Sequence, residues 1–121
     1  MAKIVIFDDD VDLIDVLTTF LSEAGHHVDS ANDAISGLEL LKSTTADMLI
    51  TDIRMPKKSG HEAILEIRKH TPDLKILAMT GGGLATSAET YCKVASKLGA
   101  DKTLSKPFAP EEFMSTVHSL L

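Results

Sequence analysis

The sequence contains no tryptophan, a single cysteine and only 4% aromatic residues. Cys92 therefore has no partner within the chain, which excludes an internal disulfide and a cluster of thiolate metal ligands. No apolar run approaches the ~20 residues that cross a bilayer. The opening MAKIVIFDDD places acidic residues where a secretory signal peptide needs its apolar stretch. We therefore expect a protein of the reducing cytoplasm with no membrane partner.

Basic residues are also scarce. The 121 residues include 12 Lys and Arg against 18 Asp and Glu, for a net charge of −6, and the basic residues are scattered. Neutralising nucleic-acid phosphates requires clustered Lys and Arg, so no direct nucleic-acid partner is expected. With 44% apolar residues and no low-complexity run, the chain is predicted to fold as one globular domain over residues 1–121.

Short apolar runs alternate with helical patterns five times along the chain. The runs predict strands at Lys3–Phe7, His27–Ala31, Met48–Thr51, Lys75–Met79 and Thr103–Ser105. Continuous apolar runs of this length are typical of strands buried on both faces of a parallel sheet. The pattern therefore predicts an α/β fold, a doubly wound five-stranded parallel sheet with five helices on its two faces.

Several residues predict where the helices begin and end. Gly25 and Gly99 stand where the first and fourth helices should stop. Ser59 and Glu62 have the spacing of a capping box at the start of the third helix. Pro110 suits the first helical position of the last helix.

Polar residues stand where the apolar runs stop. Asp8 and Asp9 follow the first strand, Asp52 the third, Thr80 the fourth and Lys106 the fifth. In an open parallel sheet, ligands bind outside the carboxyl ends of the strands. These five side chains are therefore candidates for one functional site.

Three carboxylates within ~5 Å of one another would repel by about 3 kcal/mol per pair at an effective dielectric of ~20. Such a cluster favours a hard divalent cation, and oxygen ligands suit Mg²⁺. With Mg²⁺ bound, Asp52 could attack a phosphoryl group, while Lys106 and Thr80 could contact its oxygens. The residue types predict phosphoryl transfer.

Four segments, DDD after KIVIF, then TDIRMPKKSG, LAMTGG and SKPF, occur in an order and spacing that resemble the receiver domain of two-component response regulators. The similarity runs from about Lys3 to the C-terminus and is closest to single-domain, CheY-like receivers. The resemblance implies a flavodoxin-like sheet with strand order 2-1-3-4-5. It also implies a phosphorylation-dependent binding switch rather than an enzyme.

The resemblance implies a role for each site residue. Asp52 would be the phosphoacceptor, receiving its phosphoryl group from a histidine kinase or a histidine phosphotransfer protein. Asp9 would bind Mg²⁺ directly and Asp8 mostly through water, with the backbone carbonyl of Arg54 completing the ligand set.

Further implications concern the response to phosphorylation. Thr80 would move toward the phosphoryl group and Lys106 would contact it, with a cis peptide between Lys106 and Pro107. The altered surface, formed by the last two helices and the fifth strand, would bind a downstream signalling protein.

The chain departs from the family pattern in three places. Thr103 stands where an aromatic residue is common, so the usual inward swing of a ring is absent. The segment from Gly81 to Ser87 is longer than in compact receivers, and its glycines predict a mobile loop. Arg54 and Gly82 occupy positions that tune the lifetime of the phosphoryl group in the family.

Other functions fit parts of the pattern. The same site could serve a phosphorelay intermediate, or the receiver part of a longer transcriptional regulator. Asp8-x-Asp10 after a strand also resembles the nucleophile motif of haloacid-dehalogenase-type phosphohydrolases. Against that enzyme, the chain has no cap insertion and no acidic pair at a strand end after Lys106.

Some polar residues have simpler interpretations. Asp10 directly precedes the first helix and is expected to cap it. Cys92 falls on a buried helical stripe and is expected in the core. The five histidines share no metal-ligand spacing and are expected to be solvated or half-buried: His26, His27, His61, His70 and His118.

Overall fold

The computed structural model describes residues 1–54, 58–81 and 88–121, and of residues 88–92 only the backbone. Within these residues, five strands alternate with five helices. In chain order they are β1 Lys3–Phe7, α1 Val11–Glu23, β2 His27–Ala31, α2 Ala34–Lys42, β3 Met48–Asp52, α3 Gly60–His70, β4 Lys75–Gly81, α4 Ala88–Leu98, β5 Lys102–Lys106 and α5 Pro110–Leu120.

The strands form one parallel sheet in the order β2-β1-β3-β4-β5. This confirms the predicted α/β fold and strand order. The chain leaves β1 toward one edge of the sheet and returns from β2 to β3 on the other side of β1. This reversal lies between β1 and β3, where a crevice opens at the carboxyl ends of the strands.

Alternate residues of each strand face opposite layers of helices. In β1, Ile4 and Ile6 join a core cluster with residues of α1 and α5, whereas Val5 and Phe7 join a second cluster with residues of α2 and α3. All four side chains are fully buried. The continuous apolar run of β1 is therefore explained by burial on both faces of the sheet.

The helices begin and end close to the predicted positions. Asp10 caps α1 by accepting a hydrogen bond from the Leu13 amide, and Ser59 and Glu62 form the predicted capping box of α3. Gly25 and Gly99 have φ of 93° and 124°, a left-handed conformation that glycine adopts without strain and that ends a helix.

Three strands extend further than the apolar pattern predicts. β3 includes Asp52, β4 continues to Gly81, and β5 spans Lys102–Lys106. The apolar pattern indicates only which side chains are buried in an apolar core. The backbone hydrogen bonds between strands continue through residues whose side chains are polar. Asp52, Thr80 and Lys106 therefore lie on regular strands, whereas Asp8 and Asp9 follow the end of β1.

Arg68 of α3 ties together backbone groups at the opposite end of the sheet from the acids. Its guanidinium donates to the carbonyls of Gly99 and Leu74, and to the Asp101 carboxylate at 2.9 Å. The same carboxylate accepts from the Ile76 amide at 2.8 Å. One side chain thus joins α3 to the chain segments that enter β4 and β5.

The longest described helix, α1, has 13 residues. None of the helices in the described ranges is both long enough and apolar enough to cross a membrane.

Two predictions fall on residues that the structure does not describe. Of the expected mobile segment from Gly81 to Ser87, only Gly81 is among the described residues. The side chain of Cys92, expected in the core, also lies outside them. Further along the same helix, Ala95 is fully buried, in agreement with the predicted stripe.

Candidate functional site

The acids of the site come from two neighbouring strands. Asp8 directly follows β1, and Asp52 is the last residue of β3. These strands pair in parallel, with Phe7 opposite Thr51, so their carboxyl ends lie side by side. The register therefore places Asp8 and Asp52 next to each other at the same edge of the sheet.

Asp8, Asp9 and Asp52 form the one group of three acidic, histidine or cysteine side chains among the described residues with metal-site geometry. Each offers a carboxylate oxygen, and these oxygens all lie within 4.8 Å of one another. Asp8 is 0% exposed and Asp52 5% exposed, whereas Asp9 is exposed to solvent. The structure brings the three acids together as the sequence predicts.

Lys106, at the end of β5, reaches across the sheet edge to two of these acids. Its Nζ lies 2.9 Å from Asp8 Oδ2 and 3.5 Å from Asp52 Oδ1. The first contact is a hydrogen-bonded ion pair, and the second is too long for a strong hydrogen bond. The ammonium group thus partly neutralises the two buried carboxylates.

The buried acids ionise less readily than ordinary carboxylates. Burial raises the pKa of Asp52 from 3.8 to about 6, with the nearby Asp8 charge adding to the effect and Lys106 opposing it. Burial also raises the pKa of Asp8, against a hydrogen bond from the Asp10 amide and the Lys106 contact. Near neutral pH, Asp52 is mainly ionised but strongly destabilised in that form.

Burial and ion pairing act in opposite directions on the pKa of Lys106. Burial alone would lower it, but the hydrogen bond to Asp8 and the charges of Asp52 and Asp8 outweigh burial. The pKa is raised, so Lys106 keeps its positive charge at the pH of the cell.

Two oxygens at this edge lack partners. Among the described residues, Asp52 Oδ1 and Thr80 Oγ1 are buried side-chain oxygens with no hydrogen-bond partner. Thr80 is fully buried near the end of β4, one residue beyond the pair Asp52 and Met79. Unsatisfied buried polar atoms cost free energy and in native proteins call for an explanation such as a missing ion or ligand.

The residues present fit a hard divalent cation. Asp8, Asp9 and Asp52 supply only oxygen donors, one of which has no hydrogen-bond partner among the described residues. Two buried carboxylates held together by a single lysine leave net negative charge at the site. An all-oxygen, anionic donor set of this kind suits Mg²⁺ rather than zinc or copper.

Arg54 lies two residues after Asp52 and is the last described residue before residues 55–57. The residue is exposed and takes part in at least one interaction. Its backbone carbonyl remains a predicted ligand. The predicted cis peptide between Lys106 and Pro107 is present.

The second acid of Asp8-x-Asp10 does not join the cluster. The Asp10 carboxylate accepts from the Leu13 amide at 3.1 Å and caps α1. The phosphohydrolase alternative treats Asp8-x-Asp10 as a nucleophile motif. The observed contact of Asp10 instead favours its simpler interpretation as a helix cap.

Sequence reasoning missed the importance of Gly60. A β-carbon at this position would lie 2.7 Å from the Ile53 α-carbon and closer still to the Asp52 carbonyl oxygen. The first turn of α3 therefore packs directly on the backbone that carries Asp52. A glycine just inside a helix, directly after its capping serine, was the available indication.

The model of the response regulator receiver domain family matches residues 4–118. The chain belongs to this family. It is a CheY-like receiver domain of two-component signal transduction, and its acidic cluster is compatible with the phosphorylation site of such domains. Receiver domains are signalling domains that interact with histidine kinases.

Known proteins support this assignment. The chain is 32% identical to a transcriptional regulatory protein of Haemophilus influenzae, a CpxR homolog. The alignment covers 100% of this chain and 51% of that protein. A response regulator receiver domain protein from Clostridium thermocellum superimposes with a TM-score of 0.90 at 29% identity, covering 99% of this chain and 94% of the other. The chemotaxis protein CheY4 of Vibrio cholerae superimposes with a TM-score of 0.87 at 28% identity, covering 100% of this chain and 99% of the other. The chain spans about half the length of the curated relatives it matches.

Proposed function

We propose that this receiver domain, taken as one unit over residues 1–121, accepts a phosphoryl group on Asp52 from a phosphohistidine. The donor would be a histidine kinase or a histidine phosphotransfer protein. The observation that supports this most directly is the pair of unpartnered buried oxygens, Asp52 Oδ1 and Thr80 Oγ1, beside the acids and Lys106. In this proposal, an incoming phosphoryl group would find Asp52 as the nucleophile and the Thr80 hydroxyl as a hydrogen-bond donor.

The transfer is a substitution at phosphorus. A carboxylate oxygen of Asp52 forms the new P–O bond as the P–N bond of the phosphohistidine breaks, and the electron pair returns to the imidazole nitrogen. The carboxylate must be ionised to act, so its pKa of about 6 leaves it competent at neutral pH. Its burial removes competing water from the attacking oxygen.

Mg²⁺ is the expected cofactor. Asp8, Asp9, Asp52 and the carbonyl of Arg54 would hold it, consistent with the close approach of the three carboxylates. When bound, the ion would neutralise the acids and offset the negative charge of the transferring group. Asp8 would then no longer depend on Lys106 for its counter-charge.

Lys106 and Thr80 are the proposed ligands of the phosphoryl oxygens. Lys106 begins in contact with Asp8 and lies 3.5 Å from Asp52, so a small displacement brings its ammonium to a group on Asp52. Thr80 is already buried with a free hydroxyl and gains a hydrogen-bond partner by rotating toward the same group. The rotation of Thr80 would satisfy an oxygen that has no hydrogen-bond partner before phosphorylation, whereas Lys106 would exchange part of its contact with Asp8 for one with the phosphoryl group.

The proposed output surface consists of α4, β5 and α5. Thr80 and Lys106 lie on the paired strands β4 and β5, so their movement would be felt at this side of the domain. Thr103, half-buried opposite Ala78, provides no aromatic ring, and the coupling would therefore use other groups. The bound partner would be a downstream signalling protein in the cytoplasm, and the acidic domain itself would contact neither nucleic acid nor membrane.

Two variants of this function use the same site. In a phosphorelay, the phosphoryl group would pass rapidly from Asp52 to another histidine. In a longer regulator, the domain would control an effector, a version supported by the matched CpxR homolog, which is about twice as long and is described as a transcriptional regulator. A persistent phosphorylated form with altered partner affinity indicates a switch, whereas rapid onward transfer indicates a relay.

The first experiment is to incubate the protein with Mg²⁺ and a small acyl-phosphate donor and to locate the product by mass spectrometry. We expect one acyl phosphate on Asp52, and none in Asp52→Asn. Asp10→Asn is the matched control, because asparagine also caps helices and Asp10 lies outside the cluster.

Omission of Mg²⁺ should abolish the label in wild type and in Asp10→Asn alike. A phosphoryl group found on Asp8 would contradict the proposal and favour phosphohydrolase chemistry. An equal yield of acyl phosphate with and without Mg²⁺ would show that the reaction does not need the cation, and the cofactor part of the proposal would be wrong.

A further inference from the structure

Two histidines contact each other at the end of the sheet away from the acidic cluster. Their spacing in the sequence does not predict this contact. His26 lies in the turn between α1 and β2, and His118 lies in the last turn of α5. Their Nε2 atoms are 3.1 Å apart, and their ring centroids are separated by 5.3 Å. The pair joins the C-terminal turn of α5 to the edge of the sheet opposite the phosphorylation site.

A third contact determines which nitrogens carry protons. The backbone amide of Ala2 donates to His26 Nδ1 at 3.1 Å, so this nitrogen is unprotonated. A neutral His26 must then carry its proton on Nε2, which donates to Nε2 of His118. His118 in turn carries its proton on Nδ1. One arrangement of protons therefore satisfies both hydrogen bonds.

Protonation of either ring destroys this arrangement. A proton on His26 Nδ1 would face the Ala2 amide hydrogen, and a proton on His118 Nε2 would face the Nε2–H of His26. Each case places two donors against each other. The pair is stable as a hydrogen-bonded contact only while both rings are neutral.

The surroundings also disfavour a charged His26. Burial, the neighbouring His118 and the amino terminus of Met1 all lower the pKa of His26 below its ordinary value of 6.5. The hollow that His26 lines with Met1 and Ala2 also contains Asp47 and Asp73 from the connections before β3 and β4, with Lys75 at the start of β4. Leu120 and Leu121 at the C-terminal end complete the lining of this hollow. The Asp47 carboxylate accepts a hydrogen bond from the Lys3 amide.

We propose that His26 and His118 form a proton-sensitive contact that holds the end of α5 against the α1–β2 turn at neutral pH and releases it in mild acid. Because the unfolded chain binds this proton more readily, the stabilisation is complete above pH 6.5 and is lost as the pH falls below it. Neither histidine takes part in the proposed phosphorylation chemistry, so the two proposals stand separately. The contact would make the position of α5 respond to acidity independently of Asp52.

Amide hydrogen exchange of residues 117–121 tests the release. After correction for intrinsic exchange rates, the protection factors of these amides in wild type should fall by about two- to tenfold between about pH 7.5 and about pH 5.5. A change of this size corresponds to the loss of one hydrogen bond. His118→Gln should show little change with pH, because the side-chain oxygen of glutamine can accept from the His26 Nε2–H whether the His26 ring is neutral or charged. His70→Gln, which replaces an exposed histidine on α3, should behave like wild type.

Nitrogen chemical shifts of the rings provide an independent check. At about pH 7.5 they should report Nε2–H on His26 and Nδ1–H on His118. The opposite tautomer on His26 would overturn the proposal, as would a wild-type pH response retained in His118→Gln.

Discussion

The proposed function requires Asp52 to be both buried and ionised, and these requirements oppose each other. The residue is 5% exposed, lies beside a second buried carboxylate, and has one oxygen without a hydrogen-bond partner. A pKa raised from 3.8 to about 6 is the thermodynamic consequence. In the proposed function, the same features that destabilise the folded protein would favour the acceptance of a phosphoryl group or a cation at Asp52.

This conflict predicts a pH-dependent stability difference between wild type and Asp52→Asn in the absence of Mg²⁺. Ionised Asp52 costs the folded state about 3 kcal/mol at about pH 7.5, and the cost falls to about 1.5 kcal/mol at about pH 5 as the folded protein takes up the proton. Asp52→Asn should therefore be the more stable protein, by a margin that shrinks as the pH falls. Urea unfolding with a chelator present measures the difference.

Asp12→Asn is the control for this comparison. Asp12 is an exposed carboxylate in the first turn of α1, so its replacement should change the free energy of unfolding by no more than about 0.5 kcal/mol. A less stable Asp52→Asn at neutral pH would show that the Asp52 carboxylate makes stabilising contacts that outweigh its burial.

At the scale of the elements, the site depends on how α3 approaches β3. The Gly60 amide donates to the Ile53 carbonyl at 2.9 Å, and the glycine packs against the backbone of Asp52 and Ile53. No side chain can be added there without moving one element away from the other. The position of the proposed phosphoacceptor is thus set by a helix start as well as by its own strand.

Gly60→Ala should therefore displace the end of β3. We expect a loss of about 1–3 kcal/mol in the free energy of unfolding, the usual cost of overpacking, together with a lower yield of acyl phosphate. Gly81→Ala is a matched control, because a β-carbon at Gly81 would meet no atom of the described residues within 4 Å, its two chain neighbours apart. Equal effects of the two substitutions would mean that the close approach at Gly60 does not control the site.

At the scale of the whole molecule, the site joins residues that are distant in sequence. Lys106 and Asp8 are 98 positions apart, and their ion pair links the first strand to the last. The acids also remain mutually repulsive in the absence of a cation. Any ligand that binds the assembled site but not the unfolded chain should stabilise the entire fold.

Mg²⁺ should accordingly raise the free energy of unfolding of the whole domain. At a concentration ten times its Kd, linkage gives about 1.4 kcal/mol. Thermal unfolding with MgCl₂, against NaCl of equal ionic strength, measures this effect. Asp8→Asn should lose most of the stabilisation, and a response equal to wild type in that variant would place the bound ion elsewhere.

Much of this description follows from the order of residue types along the chain. Apolar runs of five or so residues between helical repeats predict a parallel sheet, because only strands covered on both faces lack polar alternation. The acids after β1 and β3 could be placed together from the same pattern, since parallel strands bring their carboxyl ends to one edge. The caps at Asp10 and Ser59 were also visible, because capping is local chemistry.

Other features became visible only when distant segments were packed together. The ion pair of Lys106 with Asp8, the close approach of Gly60 to β3, and the contact of His26 with His118 all join separate elements. Hydrophobic patterning determines which faces are buried but not which atoms meet across an interface. The sequence alone therefore determined the fold class and the candidate acids, whereas the tertiary structure decided their charge partners and their pKa values, because burial and proximity are properties of the packed chain.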